Sequence, residues 1–205
     1  MARPTKRRTL TLESLEQREV LSSGPLSATG TYLWETVNDF RTNPKYAAQW
    51  VQNHIDPVIQ SNIDHYNVDL SAAKNDIAAA PASQPLAVNP TLMSAAQGQS
   101  QDMADKGYQS HTNSKGQDLN ARLDALGYTN RIRATEDAFA YATSADNALQ
   151  SFLIDWGVAG NGHRKGLLDI GQTPQNSASE VGIGVSTSTK VGPNVVTIDF
   201  AKNDK

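Results

Sequence analysis

The stretch that most constrains the fold runs from Ser144 to Gly171. Ser144 is placed to N-cap a helix, because its hydroxyl can accept from the first unpaired backbone N–H groups. Behind it Ala145, Ala148, Leu149, Phe152 and Trp156 fall at i, i+3, i+4, i+7 and i+11, an unbroken apolar stripe of helical period. A helix so marked must lie on a core. It gives way to Gly157, Gly160 and Gly162, after which His163 and Arg164 open a second, short helical pattern. Loops held by a rigid scaffold carry function disproportionately, so His163 is a candidate binding or catalytic group.

The rest of the chain supplies partners for that helix. Leu33, Val37 and Phe40 stripe a helix over Ser27 to Thr42. Asn43-Pro44 then breaks the chain, because the residue before proline is pushed out of the α region. A second helix from Pro44 to Asn53 carries Tyr46, Ala47, Trp50 and Val51. Asn38 and Arg41, one turn apart on the first helix, either tie backbone ends or face solvent. Between Ile55 and Pro85 the pattern weakens: Asp56, Pro57, Asn62, Asp64 and Asn67 read as loops, and Ser71 to Ala80 as a short helix. His54 and His65 fall here among polar residues and read as solvated.

Order returns at Asn89-Pro90, a cap and a first helical position. Leu92, Ala95, Ala96, Gln99 and Met103 mark the inner face, with alanines small enough for close packing on a sheet, and Gly107 ends the helix. His111 follows at the helix exit. Gln117 to Leu126 reads as a helix with Leu119, Leu123 and Leu126 inward and Gly127 as its stop. Thr129 to Thr143 reads as a strand broken at Thr135-Glu136-Asp137, two carboxylates in a solvated turn. Val181, Ile183 and Val185, alternating with glycines, and Val196, Ile198 and Phe200, alternating with polar residues, give a β-hairpin with a long loop.

Composition narrows the function classes. At 205 residues the chain can bury a sizeable core. A net charge of −3 gives no general attraction to nucleic acid or anionic membranes. With no cysteine, disulfides and thiolate metal sites are excluded. No apolar run approaches the roughly 18–20 residues that span a bilayer. Residues 1–26 form a separate N-terminal segment: Arg3, Lys6, Arg7 and Arg8 are basic, and Glu13, Glu16, Arg18 and Glu19 interrupt its leucines. Leu12 to Leu21 resembles an L-E-x-L-E-x-R-x-L-L motif at the start of exported planctomycete-type bacterial proteins, with Val20 at the first paired leucine. That resemblance implies export or surface display.

Several features now stand in one order: Asn38-x-x-Arg41, Leu86-x-x-Asn89-x-x-Leu92-x-x-Ala95-Ala96, Asp102-Met103-Ala104, Ser110-His111-Thr112, Glu136, the helix ending in Trp156, Gly162-His163-Arg164, and Val181-Gly182-Ile183-Gly184-Val185. Together they resemble a bacterial member of the CAP superfamily, the cysteine-rich secretory, antigen and pathogenesis-related (SCP-like) domain. The resemblance implies an α+β fold, a three-layer α-β-α sandwich with a central antiparallel sheet flanked by helices. It places one domain over residues 27–205, with an insertion at 55–85. It also implies a surface cleft in which His111 and His163 are the two histidines and Glu136 a carboxylate. Thr135 and Asp137 depart from that family's Gly-Glu-Asn pattern. Ala159 stands where many eukaryotic members have a second glutamate, and Glu180, the nearest later carboxylate, belongs to a strand start.

Two facing imidazoles are competent ligands for zinc or another divalent metal, with a carboxylate orienting a ring from behind. Serine-hydrolase chemistry would need a nucleophile in hydrogen-bond reach of an acid-oriented histidine, and Ser110 is the nearest hydroxyl in sequence. The preferred expectation is a secreted or surface domain whose His111/Glu136/His163 cleft binds a metal or a small ligand (lipid, glycan or peptide) without turnover. A metal-assisted hydrolase, a protease or cell-envelope enzyme, is the alternative, and a purely structural or adhesive role a third.

Overall fold

All but the last of the described helices begin where a side chain satisfies a first backbone donor. The computed structural model describes residues 26–204. Ser27 caps α1 (Ala28–Thr42) and Asn43 caps α2 (Pro44–Asn53), each side chain accepting from a backbone N–H three residues on. Asp56 caps α3 (Pro57–His65) and Asp69 caps α4 (Leu70–Ala79) in the same way. The two-residue strand β1 (Ala87–Val88) leads into α5 (Pro90–Lys106), capped by Asn89 and closed by Gly107 in the left-handed conformation. Then follow α6 (Leu119–Ala125), β2 (Arg131–Ala142), α7 (Ala145–Ile154), α8 (Gly162–Leu168), β3 (Glu180–Ser186) and β4 (Asn194–Asn203).

The sheet order is β1-β3-β4-β2. β2, β4 and β3 pair antiparallel, as expected, but β1 pairs parallel with β3, so the sheet is mixed. The parallel pair is short because Asn89 turns the chain into α5 at once. One face of the sheet carries α5 and α6; the other carries α1, α7 and α8, with α2, α3 and α4 packed outside them. This is the three-layer α-β-α arrangement. The larger core lies on the α1/α7/α8 side, around Phe40, Leu149, Phe152, Leu153, Ile198 and Phe200. Each such side chain contributes about 1.5–3 kcal/mol on burial.

Three sequence expectations are corrected. Residues 57–65, read as loop, form α3. The Asp56-Pro57 cap was its signal, and Ile59 and Ile63, one turn apart, bury against the core. Leu126 points outward at 46% exposure, because α6 ends at Ala125 and Gly127 reverses the chain. β2 is one continuous strand: Glu136 and Asp137 sit in its middle, paired with Asp199 and Ile198, not in a solvated turn. Burial of two adjacent carboxylates runs against propensity, which is why the pattern reads as broken.

Helix α5 and strand β3 approach closely. A Cβ placed on Gly182 would lie 2.0 Å from the backbone of Leu92, and one on Gly184 2.2 Å from that of Ala96. The alanines on α5 and the glycines on β3 thus bring helix and strand backbones together. Gly182→Ala is therefore expected to destabilise by about 3 kcal/mol or more through overpacking. Gly98→Ala, at a helical site with nothing within 4 Å of the new Cβ, should stabilise by about 0.5–1 kcal/mol. Urea midpoints of the two variants against wild type check this; a neutral Gly182→Ala would contradict the close approach.

Candidate functional site

The site lies beside β2, the sheet's edge strand. Gly107 closes α5 and its N–H and that of Tyr108 both go to Met103 O, so the chain turns back toward the sheet. Ser110 Oγ accepts from Thr112 N at 2.9 Å and fixes the turn carrying His111. On the other side α7 stops at Asp155, a non-glycine residue at φ 62°. Gly157 and Gly160 follow at positive φ, and α8 then starts with His163 in its first turn. The two imidazoles meet across the gap with centroids 6.0 Å apart and planes at 37°. The cavity between them has about 390 Å³ and is lined also by Asp118, Ala134, Glu136, Asp137 and Val158.

Each ring is held by its own carboxylate. His111 Nδ1 lies 2.8 Å from Glu136 Oε1, and Arg122 donates to the other oxygen of Glu136. Arg122 also donates to His111 O at 3.1 Å, so one guanidinium fixes both the loop and the carboxylate. His163 Nδ1 lies 2.8 Å from Asp155 Oδ1, and Asp155 Oδ2 accepts from Arg164 N at 3.2 Å. An ionised carboxylate can only accept, so Nδ1 of each ring carries the proton and Nε2 of each neutral ring keeps its lone pair.

All three expected residues, His111, Glu136 and His163, are brought together. Sequence reasoning missed Asp155 and Arg122. It looked for a second carboxylate at Ala159, beyond the tryptophan, whereas the carboxylate stands just before it, where the helical stripe hid it among core positions. Trp156 lies one residue beyond the helix C-cap, partly buried against Phe139 with centroids 6.4 Å apart. Arg164 donates to Leu153 O at 2.6 Å and Ile154 O at 2.8 Å, closing the end of α7 with a cation, as the helix dipole favours. Ser110 is occupied in its own turn rather than paired to His111. Glu180 lies outside the cleft and accepts from the Tyr128 hydroxyl. His54 and His65 stand apart: His54 stacks on Trp50 and bonds Trp50 O, so it is a helix-end residue rather than a solvated one. A larger cavity, about 510 Å³ between Leu26, Met93, Gln97 and Ile183, has no ionisable side chain among its described lining residues.

The model of the CAP family, described as the cysteine-rich secretory protein family, matches residues 34–200. The chain belongs to the CAP family. Comparison with curated proteins gives no match. Among solved structures, an extracellular protein containing an SCP domain from Bacillus anthracis is 26% identical, with a TM-score of 0.45 over 70% of this chain and 40% of that one. An outer surface protein from Borrelia burgdorferi is 14% identical, with a TM-score of 0.45 over 58% of this chain and 78% of that one. The CAP chain thus spans less than half of the Bacillus protein.

Two further acids lie behind the cleft of this CAP domain. Asp199 is fully buried on β4, opposite Glu136 in the strand register. Burial first, and then the Glu136 charge, push its carboxyl well above the ordinary aspartate range. Asp137 lies on the opposite face of β2, against Gly166 of α8, where a Cβ would come within 3.0 Å of Oδ1. Burial, then Asp155 and Glu136, raise its carboxyl in the same way. A carboxyl raised in the folded state stabilises fully below its unfolded value, and that stability is lost as pH rises through the folded value. Wild-type stability is therefore expected to fall as pH rises above the unfolded aspartate value of about 4, and Asp199→Asn, which carries no charge at any pH, should show a shallower fall. Thermal midpoints across that range read the two slopes; equal slopes would place the titration elsewhere.

Proposed function

We propose that this CAP domain is a binding module of an exported protein, with a divalent metal, zinc foremost, held between His111 and His163. The observation that carries the reading is the pair of imidazoles, each fixed through Nδ1 by a buried carboxylate and each with no partner at Nε2 among the described residues. Zinc at about 2.1 Å from each nitrogen sets ring centres roughly 5–6 Å apart, and the observed separation suits it. Glu136 and Asp155 would orient the rings and raise their basicity from behind the ligands. A two-histidine site leaves coordination positions for water or for a small ligand (lipid, glycan or peptide) lying in the cavity.

Export is supported by the Leu12–Leu21 motif, which lies outside the described residues. Among the described residues no helix is long and apolar enough to cross a membrane. The metal-assisted hydrolase is the second reading. It draws on the same open coordination positions and predicts turnover that is lost on replacing His163 or Glu136.

Isothermal titration of zinc into wild type is expected to show one saturable site. His111→Ala or His163→Ala should abolish it, and Asp155→Asn should weaken it about 10–100-fold. Equal heats for wild type and the histidine variants would remove the metal from the account.

A further inference from the structure

A second cavity adjoins the histidine cleft and shares Val158 and His163 with it. It has about 270 Å³ and is walled by Tyr66, Phe139, Tyr141, Phe152 and Trp156. These aromatics are arranged edge to face: Phe139 meets Tyr141 at 67° and Trp156 at 80°, with centroids 6.4 Å apart in both pairs. Tyr66 and Tyr141 are about half exposed, at 49% and 53%, and form the two lips. Tyr66 comes from the turn between α3 and α4. Its ring sits where a Cβ on Gly157 would fall 2.8 Å away, so the glycine at 157 makes room for it.

The chemistry of this wall selects its occupant. Among the described lining residues none is Asp, Glu, Lys or Arg, whereas the neighbouring cleft has Asp118, Glu136 and Asp137. Such a pocket gives no counter-charge to a phosphate, a carboxylate or an amine. An extended peptide would add to the free edge of β2, but that edge is closed here. Ala140 N donates to Gln109 Oε1 at 2.9 Å, and Ala140 O accepts from Gly192 N at 2.9 Å. The same bond holds the Gln109 side chain at the pocket with its Nε2 donors unpartnered among the described residues. Aromatic faces with amide, imidazole and phenol groups at the rim suit a ring with an apolar face and polar edges. That is a neutral pyranose, stacked on the aromatic faces with its hydroxyls at Gln109 and His163.

We propose that the Tyr66/Tyr141/Trp156 pocket is a subsite for one sugar ring of an uncharged glycan whose chain continues into the two-histidine cleft. The inference extends the reading of that cleft as a binding site, and it rests on that reading only for the direction in which the glycan runs. It gives the α3–α4 segment a role, since Tyr66 completes the wall.

The test uses the whole chain with chelator present and two neutral probes, N-acetylchitotetraose and cellotetraose, followed by tryptophan fluorescence and calorimetry. At least one should bind saturably, and Tyr141→Ala and Tyr66→Ala should each weaken it about tenfold, the loss of one stacking face. Both tyrosines are half exposed, so circular dichroism should be unchanged. Tyr141→Ala, which lies outside the two-histidine cleft, should keep zinc binding in a separate chelator-free titration while losing oligosaccharide affinity, so failure of the metal site and failure of the sugar subsite are read separately. Absence of binding by both probes, unchanged affinity in both tyrosine variants, or tighter binding of a blocked phenylalanine tripeptide than of either glycan would overturn the proposal.

Discussion

The fold turns on one buried cation. Arg41 is fully buried, and burial lowers its pKa below the ordinary arginine value while Asp169 opposes that shift. A guanidinium in a core is tolerated only if its donors are met. Arg41 meets them with Gln84 O at 3.1 Å, Leu167 O at 3.0 Å and Ala178 O at 3.0 Å, and lies 3.6 Å from the Asp169 carboxylate. Three segments, at residues 84, 167–169 and 178, are thereby drawn to one point on α1. Asn38, one turn earlier, exchanges two bonds with the backbone of Leu86. Asp169 follows α8 directly and also accepts from Arg133 of β2 at 2.7 Å. The helix that presents His163 and the strand that presents Glu136 are thus tied through the same carboxylate.

From this frame the cleft acquires two similar halves on opposite sides of β2. Alternation along the strand sends Glu136 toward the α5–α6 side, where it meets His111 and Arg122, and Asp137 toward α8. His163 on that second side takes its carboxylate from Asp155 instead, at the end of α7. Each imidazole is backed by an acid, and behind each acid lies a second buried carboxyl that burial holds toward its neutral form. Such an arrangement keeps two rings in one tautomer and orientation without closing their outward nitrogens.

Much of this was legible in the sequence, and the failures have physical causes. Helices α5 and α7 followed from their stripes and caps, and the hairpin from alternation, because burial on one face leaves a period in the chain. The order of motifs located His111, Glu136 and His163. What was hidden depends on local conflict with propensity. Two adjacent buried carboxylates in β2 look like a turn because the groups that hold Glu136, His111 and Arg122, come from other elements. Asp155 went unnoticed because its role depends on a left-handed φ and on a ring eight residues later. Segment α3 was short enough that two buried isoleucines alone carried its period.

On the proposed reading both histidines offer Nε2 to a common ligand because their carboxylates hold Nδ1–H. Nitrogen-15 NMR of the imidazole rings, recorded before and during addition of zinc, tests it most directly. The Nδ1–H form is expected at both His111 and His163 in the metal-free protein, with both Nε2 resonances shifting together up to one equivalent of zinc. An Nε2–H form at either ring, or zinc perturbing one histidine and leaving the other unchanged, would contradict it.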